Sequence, residues 1–86
     1  MQEFKGKTAV ITGGASGIGF ALANECAARQ MNVVLADIEI GALEAAVADL
    51  ESRQCPALGV HTDTRQKEAL DNLLAETIEK FGNVHL

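Results

Sequence analysis

Short apolar runs alternate with longer amphipathic stretches along the whole chain. Residues 7–11 and 32–36 are short apolar runs that predict two buried strands, and the second is apolar on both faces. Pro56 cannot continue a helix, and residues 57–62 after it predict a third, weaker strand. Residues 84–86 predict the start of a fourth strand.

Helical spacing of apolar residues fills the segments between these strands, over about 17–30, 40–51 and 65–81. The expected apolar faces of the three helices are, in order, Ile18, Leu22 and Cys26; Ile40, Leu43, Val47 and Leu50; and Leu70, Leu73, Leu74, Ile78 and Phe81. Asp63 and Gln66 have the spacing of a capping box at the start of the third helix, and Gly82 predicts its C-terminal cap.

The order β-α-β-α-β-α-β predicts an α/β fold with a doubly wound parallel sheet, because crossovers between parallel strands are nearly always right-handed. We expect strand order 3-2-1-4, the first half of a Rossmann-type fold, with a ligand at the carboxyl ends of the strands. Residues 1–86 are therefore predicted to be the amino-terminal part of a single dinucleotide-binding domain. The sheet would be incomplete, with only the third helix on one face, and we expect the remainder to be supplied by further sequence or by another chain.

Composition and charge restrict the classes of partner. The formal net charge is −5, with seven basic residues scattered among twelve acidic ones, which disfavours nucleic acid as a ligand. Neither a membrane span nor a signal-peptide core is present in the sequence, so we expect a cytoplasmic protein. Cys26 and Cys55 lack the spacing of a metal site and are predicted to be small buried residues.

A glycine-rich turn follows the first strand, where residues 12–19 are Thr-Gly-Gly-Ala-Ser-Gly-Ile-Gly. Backbone N–H groups in such a turn, together with a helix N-terminus, favour a pyrophosphate. A P-loop is excluded because Phe20 and Ala21 stand where it requires Lys and Ser or Thr. The Gly-x-Gly-x-x-Gly form is also absent, whereas a methyltransferase-like turn remains open.

The turn also matches Thr-Gly-x3-Gly-x-Gly at each fixed position and closely resembles the cofactor-binding turn of short-chain dehydrogenases/reductases. Asp37, Asp63 and residues 81–86 resemble further features of that family in the same order. The resemblance implies an oxidoreductase that transfers hydride between NAD and an alcohol or ketone, and a homo-oligomer when the protein is complete.

The resemblance also implies roles for individual residues. The turn would hold the pyrophosphate and the nearby ribose through Gly13, Ser16, Gly17, Ile18 and Gly19. Asp63 and Thr64 would contact the adenine ring, although the capping box alone also explains Asp63. A tight turn that needs a positive φ is an equally good explanation of Gly13 and Gly17.

Asp37 distinguishes NAD from NADP. It stands about 20 residues after the glycines, the spacing expected of a carboxylate that accepts hydrogen bonds from the ribose hydroxyls. At ~4 Å and an effective dielectric of ~20, it would oppose a 2′-phosphate by about 4 kcal/mol. Ala15 and Ile38 occupy the usual basic positions of NADP-dependent relatives, so we predict NAD. Helix N-capping is the alternative explanation of Asp37.

The catalytic Ser, Tyr and Lys of the family have no counterparts here, because the chain contains no Tyr. We therefore assign no catalytic residue and no metal ligand, and we expect no catalysis from the 86 residues alone. The alternative to a segment of an enzyme is a non-catalytic nucleotide-binding or structural fragment.

Overall fold

The computed structural model describes residues 5–82. Its elements, in chain order, are β1 (Thr8–Thr12), α1 (Gly17–Ala28), β2 (Asn32–Asp37), α2 (Ile40–Ser52), β3 (Ala57–His61) and α3 (Lys67–Phe81). The predicted α/β alternation is confirmed. The expected fourth strand, residues 84–86, lies outside the described residues.

The three strands form a parallel sheet with β2 in the centre, in the predicted order 3-2-1. Thr12, the last residue of β1, is aligned with Ala36, and Asp37 at the end of β2 is aligned with His61. All three strands therefore end at the same edge of the sheet. The glycine-rich turn that begins at Gly13 lies beside Asp37 for this reason.

Helices cover both faces of the sheet, as expected for a doubly wound fold. Val33 and Leu35 belong to the core under α1 and α2, whereas Val34 and Ala36 belong to the core under α3. All four are fully buried. Successive side chains of a strand point to opposite faces, so a central strand covered on both sides must be apolar throughout.

The buried face of α1 differs from the prediction. Gly19 and Ala23 are its buried residues, while Ile18 and Leu22 are 87% and 54% exposed. Small residues at the contact allow the α1 backbone to lie close to the glycine-rich turn and to the sheet. The prediction is therefore wrong for Ile18 and Leu22, whereas Cys26 is half-buried and packs against the core.

The predicted faces of α2 and α3 are partly correct. Leu43 and Leu50 of α2 are buried, but Ile40 is 55% exposed at the first turn of the helix. In α3, Leu73 and Thr77 are buried, and the Thr77 hydroxyl donates to the Leu73 carbonyl. The other apolar residues named for α3 are exposed or half-buried, because a single helix on this face contacts the sheet along one line of side chains only.

The start of α3 was predicted incorrectly. Its N-cap is Gln66, without a side-chain cap, and the helix begins at Lys67. The Asp63 carboxylate instead accepts from the backbone N–H and the guanidinium of Arg65. At the other end, Gly82 has φ +78° and donates to the Ile78 carbonyl, as the prediction of a glycine cap requires.

Candidate functional site

A cavity of about 300 Å³ opens at the carboxyl ends of the strands. Its lining residues are Gly13, Ala36, Asp37, Ile38, Thr62, Asp63, Thr64 and Arg65. The structure thus brings together four of the predicted site residues, from three separate parts of the chain. The other four, Ser16, Gly17, Ile18 and Gly19, form the adjoining turn and the first turn of α1.

The glycine-rich turn is closed by hydrogen bonds to the carbonyl of Gly13. This carbonyl accepts from the Ser16 N–H at 3.1 Å and from the Ser16 hydroxyl at 2.7 Å. Gly13 adopts φ +66°, a conformation that L side chains rarely adopt. The Ser16 oxygen also accepts from the Gly19 N–H at 3.4 Å, so Ser16 is the N-cap of α1.

Ser16→Ala is expected to lower the free energy of unfolding by about 1 kcal/mol, because both the cap and the bond to Gly13 are lost. Chemical denaturation monitored by circular dichroism would measure the change. Ser52→Ala is the matched control, since the Ser52 hydroxyl donates to the Asp49 carbonyl at the far end of α2. An equal loss of stability in both variants would contradict the capping role.

Three glycines of the turn have different surroundings. A Cβ on Gly14 would lie 2.7 Å from Leu35 Cδ2, and a Cβ on Gly19 would lie 2.1 Å from the Gly13 carbonyl oxygen. A Cβ on Gly17 would meet nothing within 4 Å. Gly17 also has no positive φ, so the expectation that backbone strain explains it was wrong. Open space beside Gly17 is instead room for a ligand.

The start of α1 has hydrogen-bond donors to offer in that space. Gly17 and Ile18 are the first two helical residues, so their amides have no acceptor within the helix. Within residues 5–82, no other group accepts a hydrogen bond from either amide. Two free donors at a helix N-terminus, next to a position without a side chain, fit a phosphate group.

Asp37 is held rigidly between the turn and α2. One carboxylate oxygen accepts from the Glu39 N–H at 3.0 Å and the other from the Ala15 N–H at 3.0 Å. The Glu39 bond is the largest cause that lowers the pKa of Asp37 below its ordinary 3.8; burial, the next largest, opposes it, and the backbone N–H groups of Ala15 and Ile38 lower the pKa further. The N-cap of α2 is Glu39, so Asp37 is not the capping residue.

The lowered pKa fixes the charge state of this carboxylate. A group whose pKa is depressed by folding stabilises the fold above its unfolded pKa, and that contribution is lost as the pH falls through the lower, folded value. Asp37 is therefore ionised from mildly acidic to neutral pH. A carboxylate has about four acceptor positions, and the two amides use two of them. Two remain, one on each oxygen.

Asp63 and Arg65, which also line the cavity, form a bidentate ion pair. Arg65 Nε donates to one Asp63 oxygen and a terminal guanidinium nitrogen donates to the other, both at 2.9 Å. The Arg65 N–H adds a third bond at 3.0 Å. These bonds, the side-chain bond first, lower the pKa of Asp63 to about 2.

Arg65 is the charged cavity residue that the sequence analysis did not include, and the uncharged ones are Ala36, Ile38 and Thr62. The basic positions of NADP-dependent relatives lie next to the glycine-rich turn and after the second strand. Arg65 instead lines the cavity from the segment that follows the third strand. Its position two residues after Asp63 was the available signal.

The structure adds that no helix in the described range 5–82 is long and apolar enough to cross a membrane.

Comparisons with known proteins agree with this geometry. The short chain dehydrogenase family matches residues 7–86. A C alpha-dehydrogenase of Sphingobium sp. is 38% identical over 82 residues, which cover 95% of this chain and 27% of that protein. A short chain dehydrogenase/reductase of Burkholderia phymatum, solved in complex with NAD, is 42% identical with a TM-score of 0.96, over 99% of this chain and 30% of that one.

Another similar structure is L-sorbose reductase of Gluconobacter frateurii, solved with NADPH and L-sorbose. It is 30% identical with a TM-score of 0.90, over 96% of this chain and 33% of that one. The chain thus spans at most a third of the length of these relatives. The glycine-rich turn, the parallel sheet and the family match over residues 7–86 lead to one conclusion: this chain belongs to the short-chain dehydrogenase/reductase family, of which it carries the amino-terminal Rossmann segment.

Proposed function

We propose that this chain is the NAD(H)-binding segment of an oxidoreductase that transfers hydride between NAD and an alcohol or ketone. The observation that carries the proposal is the state of Asp37. Its carboxylate is ionised, is fixed by two backbone amides, and belongs to a residue that lines the cavity. Two vicinal ribose hydroxyls would complete its hydrogen bonds.

Other parts of the nucleotide match the remaining features of the site. The free amides of Gly17 and Ile18 would bind the pyrophosphate, and the absent side chain at Gly17 leaves room for it. Asp63 and Thr64 line the cavity that would take the adenine. When bound, NAD supplies the atom that accepts or donates the hydride, whereas this segment binds and orients the nucleotide.

The preference for NAD over NADP follows from the rigidity of Asp37. A carboxylate tied to two amides cannot turn away from a 2′-phosphate without breaking both bonds. The repulsion of about 4 kcal/mol at ~4 Å and a dielectric of ~20 corresponds to roughly a thousandfold in affinity. Both an NAD complex and an NADPH complex occur among the similar structures, so the support for NAD comes from Asp37 of this chain.

The proposal is tested by titrating the purified protein with NADH, NADPH and S-adenosylmethionine and following nucleotide fluorescence or heat of binding. We expect NADH to bind at least about a hundredfold more tightly than NADPH. This is less than the thousandfold given above, because counter-ions weaken the repulsion between Asp37 and the 2′-phosphate. Binding of S-adenosylmethionine without NADH would replace the proposal by a methyltransferase-like function. Tighter binding of NADPH than of NADH would overturn the role given to Asp37.

A further inference from the structure

Within residues 5–82, Arg65 is the only Lys or Arg that lines the cavity. Asp37 lines the same cavity, so a group bound at the mouth near Asp37 would have one positively charged neighbour in the lining. The side chain of Arg65 is 80% exposed and that of its partner Asp63 is 25% exposed. The guanidinium is thus held by its partner and not by packing in the core.

We propose that Asp63 is a positioning residue that withholds the Arg65 guanidinium from a 2′-phosphate, so that the Asp63–Arg65 ion pair adds to the selectivity for NAD. The inference rests on the proposed NAD(H) binding and concerns a second determinant beyond Asp37. Its basis is the juxtaposition of a paired cation and a fixed carboxylate in one cavity of about 300 Å³.

The hydrogen bonds orient the guanidinium toward Asp63. Nε and one terminal nitrogen of Arg65 donate to the two Asp63 oxygens in a fork that matches the carboxylate. The Arg65 N–H bonds to the same carboxylate, so the two residues form a local ring that fixes the side chain by its own backbone. Asp63 thus uses two of the five N–H donors of the guanidinium, and a phosphate could take that fork only by breaking the pair.

The charges of the lining give the direction of the effect. The cavity has a charge of −1, because its charged lining residues are the carboxylates of Asp37 and Asp63 and the guanidinium of Arg65. Neutralising Asp63 raises this to zero and frees a long, exposed cation in the same cavity. An Arg is well suited to phosphate, to which it can donate two parallel hydrogen bonds.

Asp63 keeps a capacity for the adenine in this arrangement. One of its oxygens accepts two bonds from Arg65 and the other accepts one, so three of about four acceptor positions are filled. One position remains for an adenine amino group. The pairing with Arg65 and the adenine contact predicted from the family resemblance are therefore compatible.

The test compares the ratio of NADPH to NADH affinity in four proteins. In Asp63→Asn we expect the ratio to rise about tenfold over the original protein. In Asp63→Asn/Arg65→Gln the rise should disappear, and in Asp63→Asn/Arg65→Lys most of it should remain, because a cation is kept. A change in adenine binding or in folding alters the affinities for NADPH and NADH equally. It therefore cancels in the ratio of the two affinities.

Two results would overturn the inference. One is an unchanged ratio in Asp63→Asn while the original protein binds NADH, which leaves the proposed function intact. The other is an equal rise with and without Arg65, which would assign the effect to the Asp63 charge alone. If the original protein binds neither nucleotide, the proposed function fails, and the inference fails with it.

Discussion

Asp37→Asn is expected to raise the NADPH to NADH affinity ratio by at least about a hundredfold, the largest change of nucleotide preference that we predict for this chain. The substitution removes the negative charge that opposes a 2′-phosphate. It also weakens the bonds to the ribose hydroxyls, since hydrogen bonds to charged groups contribute about 1.5–3 kcal/mol each. NADH affinity should therefore fall while NADPH affinity rises, and equilibrium titration with both nucleotides would measure the two changes.

The structure also predicts a cost to the fold in this variant. An Asn offers one acceptor oxygen, so one of the two amides, that of Ala15 or of Glu39, loses its partner. Thermal melts would separate this effect from binding. Asp49→Asn is the matched control. It makes the same change of charge at a residue of α2 that pairs with Arg53 and does not line the cavity. Asp37→Asn with an unaltered nucleotide ratio would contradict the proposed role.

The sheet could be predicted from the sequence because its physical signal is local. A central strand with helices on both faces is apolar at successive positions, and residues 33–36 have this pattern. The relative positions of Gly13 and Asp37 could be predicted from the sheet. Parallel strands end at one edge of the sheet, so the turn after β1 must lie there beside the end of β2. Helices and turns between strands of this kind leave few alternatives for the topology.

The parts that failed depend on packing, which is not a local property. Ile18 and Leu22 have helical spacing, but α1 buries Gly19 and Ala23 because the turn before the helix demands a close backbone approach. The spacing of Asp63 and Gln66 suits a capping box, but the Arg65 guanidinium competes successfully for the carboxylate. A charge-assisted, bidentate partner is stronger than a neutral backbone N–H.

Gly17 and Gly19 look equivalent in the sequence, and the structure predicts opposite results for their replacement by Ala. A Cβ on Gly19 would lie 2.1 Å from the Gly13 carbonyl oxygen and 3.0 Å from Gly14 Cα. Both are backbone atoms, so α1 and the turn would have to separate. We expect Gly19→Ala to lower the free energy of unfolding by about 3 kcal/mol or more. Thermal denaturation followed by circular dichroism would measure this loss.

Gly17→Ala should leave the fold intact, because its Cβ meets nothing within 4 Å and Ala is favoured over Gly in a helix by about 1 kcal/mol. NADH affinity should fall at least about tenfold, since the methyl group occupies the space proposed for the pyrophosphate. The pair thus separates stability from binding: Gly19→Ala loses stability, whereas Gly17→Ala loses affinity at an unchanged or higher melting temperature. Full NADH affinity in Gly17→Ala would show that the open space beside α1 is not the phosphate site.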